Sequence, residues 1–265
     1  MHDHSHRAAV SPVKKARTGR RIICLAVALS LMASGGCFAE QPAGGPAEQV
    51  NGIIGKKDLG TEKDVTYRCN ILPEADHAFV LLAFEGSRMD PRKEDGGVIW
   101  NEGLRSCNVI DFAIADELCG WQKKKWEKTC DLYASAVLDA LTEHFGSVKT
   151  AGVYAFSKGA SAADAVCRKL REAGLELSFV WLNDAFTTHG LPYVTELTEN
   201  NEILLYSRYS RDERVNGLCK KLHQKYGNLP NIDSRHISTY HGGLVKYETF
   251  TEELAAAIEK ASFVP

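Results

Sequence analysis

The stretch Ala155-Phe156-Ser157-Lys158-Gly159 closes an apolar run and opens a helical one. A serine at such a junction sits on a strained strand-to-helix turn that exposes its hydroxyl. The turn is so tight that small residues are needed two positions to either side. Ala155 and Gly159 meet that demand, and Ala160 allows close packing of the helix that follows. By chance such a string arises about 0.2 times in a chain of this length, so its position between a strand and a helix carries the weight. A serine capping an ordinary helix is the plainer alternative.

A nucleophilic serine needs a base, and the base needs an acid to fix its tautomer and stabilise its cation. His241, in Tyr240-His241-Gly242-Gly243, stands in a glycine-sharpened loop between a strand and the final helix. There an imidazole can accept the serine proton and return it to a leaving group. His236 opens the preceding strand and is placed at the other end of the sheet; His189 is the more serious rival. For the acid the reading takes Asp212, in the loop after the strand Glu202–Tyr206, with Asp184 and Glu213 competing. Asp184 follows the strand Leu177–Leu182, one strand earlier than expected. Backbone N–H groups aimed at a developing oxyanion complete such a site. Lys158 supplies one, and Gly86 and Ser87, after Phe84-Glu85, supply the other, with the Ser87 hydroxyl in reserve.

These stretches all follow apolar runs because an open parallel sheet forms its sites beyond the carboxyl ends of its strands. Strands are expected over Val65–Leu72, Ala78–Phe84, Ala151–Phe156, Leu177–Leu182, Glu202–Tyr206 and His236–Tyr240. Helical spacing marks Leu132–Phe145, Gly159–Ala173, Val215–Tyr226 and Glu248–Ala261. The alternation predicts an α/β fold: a mostly parallel sheet with helices on both faces, occupying 61–265 as one domain. Residues 40–60, rich in Gly and Pro, read as a flexible linker. The 46 residues Glu85–Cys130 are too long for an ordinary connection. They read as a disulfide-pinned excursion or a lid, with Trp100, Trp121 and Trp126 as apolar walls.

The chain has 265 residues and a formal charge of −2. Residues 1–39 hold six basic side chains against Asp3 alone, so the remainder carries 26 basic and 33 acidic groups. An acidic body argues against sequence-independent nucleic-acid binding, which neutralises phosphates. The apolar run at 22–33 follows Arg20-Arg21 and is too short to span a bilayer. A charged leader, a short apolar stretch and small residues describe a secretory signal peptide over 1–39. The competing reading makes Cys37 a lipid anchor. Export leaves Cys69, Cys107, Cys119, Cys130, Cys167 and Cys219. An even number in an oxidising compartment favours disulfides, although Cys167 lies among apolar residues like a buried thiol.

The order Ser157, Asp212, His241, each after a different strand, resembles the α/β-hydrolases over about residues 65–262. The Ala155–Gly159 turn is similar to that of lipases and esterases with Ala in place of the first Gly. Ala83-Phe84-Glu85-Gly86-Ser87 is similar in placement to the oxyanion strand of cutinases and small lipases, departing from it in Glu85. A carboxylate there would repel an anionic substrate. The resemblance implies an exported serine hydrolase acting on a small-molecule or lipid-like ester, needing no cofactor or metal. The alternatives are an inactive binding or cell-envelope protein on the same fold, and an acyltransferase, thioesterase or peptidase on the same triad.

Overall fold

The computed structural model describes residues 47–73, 78–87, 89–93, 97, 104, 107–120 and 122–262. The leader with Cys37, and Trp100 and Trp121, lie outside the described residues. Eight strands form one sheet: β1 (Glu48–Ile54), β2 (Val65–Ile71), β3 (Phe79–Phe84), β4 (Val109–Phe112), β5 (Thr150–Phe156), β6 (Glu176–Asn183), β7 (Leu204–Tyr209) and β8 (Ile232–His236). Their spatial order is β1-β2-β4-β3-β5-β6-β7-β8. β2 runs antiparallel to β1 and β4, and every pairing from β4 to β8 is parallel.

The central strands are mostly apolar because both of their faces are covered. Every residue of β3 and β4 is buried, as is all of β5 after Thr150. One face packs on α1 (Lys56–Leu59), α2 (Lys123–Phe145), α3 (Ala160–Glu172), α4 (Pro192–Glu199) and α5 (Gly217–Tyr226). The other is covered by α6 (Phe250–Ser262), through Phe250, Leu254 and Ile258, and by Leu104. Helices on both faces of a mostly parallel sheet are what the alternation predicts. Among the described residues, no helix is long and apolar enough to cross a membrane.

Arg208, on β7, is 1% exposed, and its charge is compensated from three sides. It pairs with Asp233 of β8 at 3.0 Å and Glu253 of α6 at 2.9 Å. Its guanidinium also lies 4.8 Å from the ring centroid of Trp181 on β6. A charge at this depth is tolerated only when paired and hydrogen-bonded, so it fixes three elements to one another beneath the rim of the sheet.

Several expectations are corrected. The segment read as a linker forms edge strand β1, in register from Glu48↔Ile71 to Ile54↔Val65, and then α1. The segment read as an excursion contributes β4, an interior strand, together with fully buried Leu104 and Leu118. Its last eight residues already belong to α2, whose first two turns are polar and hide the helical period. The last strand lies at Ile232–His236, not His236–Tyr240. Half-exposed at the sheet edge, it needs no apolar run. His236 therefore closes the strand, against Tyr209 with ring centroids 5.3 Å apart. The short helix α4, with Pro192 in its first turn, was not expected at all.

The expected disulfides are also absent. All six cysteines among the described residues are free thiols. Burial raises the Cys69 and Cys107 thiols to about 12 and Cys219 to about 11. Cys167 is fully buried, as its apolar neighbours suggested.

Leu104 separates the surface-excursion reading from the observed one. Leu104→Ala should cost about 2–5 kcal/mol, as for a core leucine, in equilibrium denaturation. An exposed excursion would lose almost nothing.

Candidate active site

Two corners at the carboxyl end of the sheet adopt backbone geometry that side chains normally avoid. Ser157, directly after β5, has φ 52°, and Asp184, directly after β6, has φ 41°. Non-glycine residues at positive φ cost of order 1–3 kcal/mol and persist only where surrounding structure over-determines them. Here it does. The Phe186 N–H donates to the Ser157 carbonyl at 2.8 Å, tying one corner to the other. The Asp184 N–H donates to the Arg208 carbonyl at 2.9 Å, and the Ala185 N–H donates to Cys219 Sγ at 3.3 Å. Three successive amides of the Asp184 turn are thus held by β7, α5 and the serine corner.

The serine corner needs Gly159 for a second reason. A Cβ there would fall 2.1 Å from the Phe84 carbonyl oxygen and 2.9 Å from that of Glu85. The chain behind Ser157 lies directly on the end of β3, which brings the loop at Gly86 and Ser87 beside it. Gly86 in turn lies against Phe156, whose ring a Cβ would approach to 3.0 Å. The Lys158 side chain points outward, with Nζ 3.9 Å from Asp116. Glu85 follows directly on β3. It is fully buried, and its carboxylate and that of Asp111 close around the backbone of Gly97.

His241 opens a single 3₁₀ stretch, His241–Val245, after β8. Its Nδ1–H donates to Asp184 Oδ2 at 2.9 Å. Its ring stacks on Phe156, the residue before Ser157, with centroids 4.7 Å apart and 23° between planes. The imidazole is thus clamped between the acid and the serine corner, a quarter exposed. With Nδ1 committed to the carboxylate, Nε2 is the nitrogen left to exchange a proton.

The carboxylate hydrogen-bonded to His241 is that of Asp184, not the expected Asp212. Asp212 turns its carboxylate to Arg214, with Oδ1 accepting from Nε at 2.9 Å and Oδ2 from an Nη at 2.8 Å. The Arg214 guanidinium holds that carboxyl down to about 2. Glu213 is exposed in the same turn. Asp184 is fully buried and accepts from His241, from the Ser210 N–H at 2.8 Å, and from the Ser210 hydroxyl. His189 lies elsewhere: its ring packs on Trp126 at 4.3 Å and its Nε2 bonds the Gly120 carbonyl at 3.1 Å. Ser210 was not singled out from sequence, where a serine between Tyr209 and Arg211 carries no signal.

No family model and no curated protein matches the sequence. Solved structures do match in fold. A ferulic acid esterase superposes with TM-score 0.53 at 11% identity, covering 80% of this chain and 98% of its own. An esterase of Pyrobaculum calidifontis gives 0.53 at 11% identity, over 82% and 86%. Carboxyl esterase 2 of Tuber melanosporum gives 0.51 at 12%, over 86% and 88%. With the strand order and the strained turn after β5, these decide the architecture. The chain has the α/β-hydrolase fold. Within that fold Ser157 follows β5, Asp184 follows β6 and His241 comes after β8.

Gly159→Ala should destabilise the protein by about 1–3 kcal/mol, the scale of overpacking. The measurement is a denaturant titration, and an unchanged midpoint would mean that the serine corner does not lie on β3.

Proposed function

We propose that this α/β-hydrolase-fold chain is a serine hydrolase cleaving a carboxylic ester, with Ser157 as nucleophile, His241 as base and Asp184 as acid. The observation that carries the reading is the His241–Asp184 hydrogen bond at 2.9 Å, beside a serine in a left-handed turn at the same rim. Ser157 Oγ attacks the ester carbonyl while His241 Nε2 takes its proton. The tetrahedral oxyanion is met by the Lys158 N–H, with the backbone at Gly86 and Ser87 opposite. The N-terminus of α3 behind the serine adds its positive dipole end. His241 then returns the proton to the leaving alcohol, the acyl-enzyme forms, and water repeats the sequence in reverse. Asp184 stays ionised throughout, orienting the ring and stabilising its cation.

The solved structures of the same fold that are named as esterases favour an ester among the bonds this triad can open. A small-molecule or lipid-like ester suits the site, and no cofactor enters the chemistry. Export through the 1–39 leader, with cleavage after Ala39 or lipidation of Cys37, belongs to the same proposal and rests on the sequence.

A fluorophosphonate probe should label the wild-type protein on Ser157 and leave Ser157→Ala unlabelled. Asp184→Asn should slow p-nitrophenyl ester turnover by about 10⁴-fold, because the amide selects the wrong tautomer. Asp212→Asn should cost at most about tenfold, because asparagine keeps the backbone N–H to Ser210 and can still accept from Arg214. The reverse ranking of the two aspartates would return the acid to the loop after β7. Equal labelling of wild type and Ser157→Ala would remove Ser157 from the mechanism.

A further inference from the structure

The loop after β7 does not supply the acid, yet its first residue touches nothing so closely as the acid. Ser210 is fully buried. Its N–H donates to Asp184 Oδ1 at 2.8 Å and its hydroxyl donates to Oδ2, the oxygen that also accepts from His241 Nδ1. The hydroxyl has one proton, and something must aim it. The Asp212 N–H donates to Ser210 Oγ at 3.1 Å, occupying a lone pair and leaving the proton to the carboxylate. Asn216 Nδ2 donates to the Ser210 carbonyl at 2.8 Å, so the residue is gripped on its other side as well. Asp212 is held in turn by its own carboxylate on the Arg214 side chain and N–H.

We propose that Ser210 is the positioning residue of the catalytic acid, with its hydroxyl aimed by the Asp212 N–H. It fixes the carboxylate plane through two donors on two oxygens and shares Oδ2 with the imidazole. Because that oxygen's charge is divided between a hydroxyl and a ring N–H, Ser210 also tempers how strongly Asp184 holds the His241 cation. The charged groups facing the imidazole are Asp184, from the β6 turn, and Asp212 with its Arg214 partner, from the β7 loop. The inference rests on the proposed Ser157–His241–Asp184 reading.

The test is the rate of fluorophosphonate labelling of the full chain as a function of pH, with folding checked by thermal unfolding. Wild type comes first. If Ser157 is not labelled at any pH, the catalytic reading fails, whatever Ser210 does. Given a labelled wild type, Ser210→Ala should lower the plateau rate about 10- to 100-fold, the effect of a slightly misplaced group. It should also move the midpoint of the acid limb upward, because Asp184 then holds the imidazolium without competition. Ser210→Thr keeps the hydroxyl and should keep the wild-type midpoint. If Ser210→Ala does not fold, Ser210→Cys, close in size with a weak donor, takes its place in the same measurement. An unchanged plateau and midpoint would overturn the inference. So would a lower plateau with an unmoved midpoint that Ser210→Thr shares, which is the mark of a structural role alone.

Discussion

A carboxylate removed from water is the constraint around which the rim of this sheet is organised. Asp184 is fully buried, and taking such a charge into the interior costs several kcal/mol even after relaxation. It accepts from the Ser210 N–H, the Ser210 hydroxyl and His241 Nδ1–H. Hydrogen bonds to charged groups contribute about 1.5–3 kcal/mol each, so three of them are of the size needed to offset that cost. Remove any one and an anion is left short of donors in a place water cannot reach. The histidine is therefore part of the folded structure, its orientation set by the carboxylate and by Phe156.

The same corner shows how strain is held. Ser157 and Asp184 both have positive φ, and neither is a glycine. Each would relax if its neighbours allowed it. The Phe186–Ser157 backbone bond links the two turns, so one cannot relax without pulling the other. Arg208 sits just beneath, its carbonyl accepting from Asp184 N–H and its guanidinium locked to Asp233 and Glu253. The ion pairs tie β7 and β8, after which the carboxylate's partners Ser210 and His241 follow, to α6. Packing, strain and site geometry are here one connected set of contacts.

Much of this architecture was legible in the sequence where both faces of an element are buried. β3 and β5 announce themselves as apolar runs and β6 as one interrupted by Ser178, and the Ala155–Gly159 spacing marks the strained turn. What was not legible lacks an apolar signature. Edge strands β1 and β8 are partly wet, so their residues are polar. β4 is four residues inside a long connection. The polar opening of α2 masked its start. The carboxylate that bonds His241 differs from the expected one for another reason. Asp184 and Asp212 both follow strands at the same end of the sheet, and composition cannot say which carboxylate turns inward.

Geometry explains how a carboxylate from the end of β6 reaches His241. The strand order places β7 between β6 and β8, and neighbouring strands lie about 4.8 Å apart. An acid leaving β6 must lean across the end of β7 to meet a histidine arriving after β8. The left-handed turn at Asp184, bonded to the Arg208 carbonyl on β7, makes that lean. The loop after β7 is then free to lie over the carboxylate, and Ser210 does so. Asp212 lies two residues on, where Arg214, itself largely exposed, takes up its carboxylate. Its backbone still serves the site through Ser210 Oγ. Carboxylate and clamp come from adjacent strands, and the β7 loop that sequence alone marked as the source of the carboxylate is the one whose Ser210 bonds it.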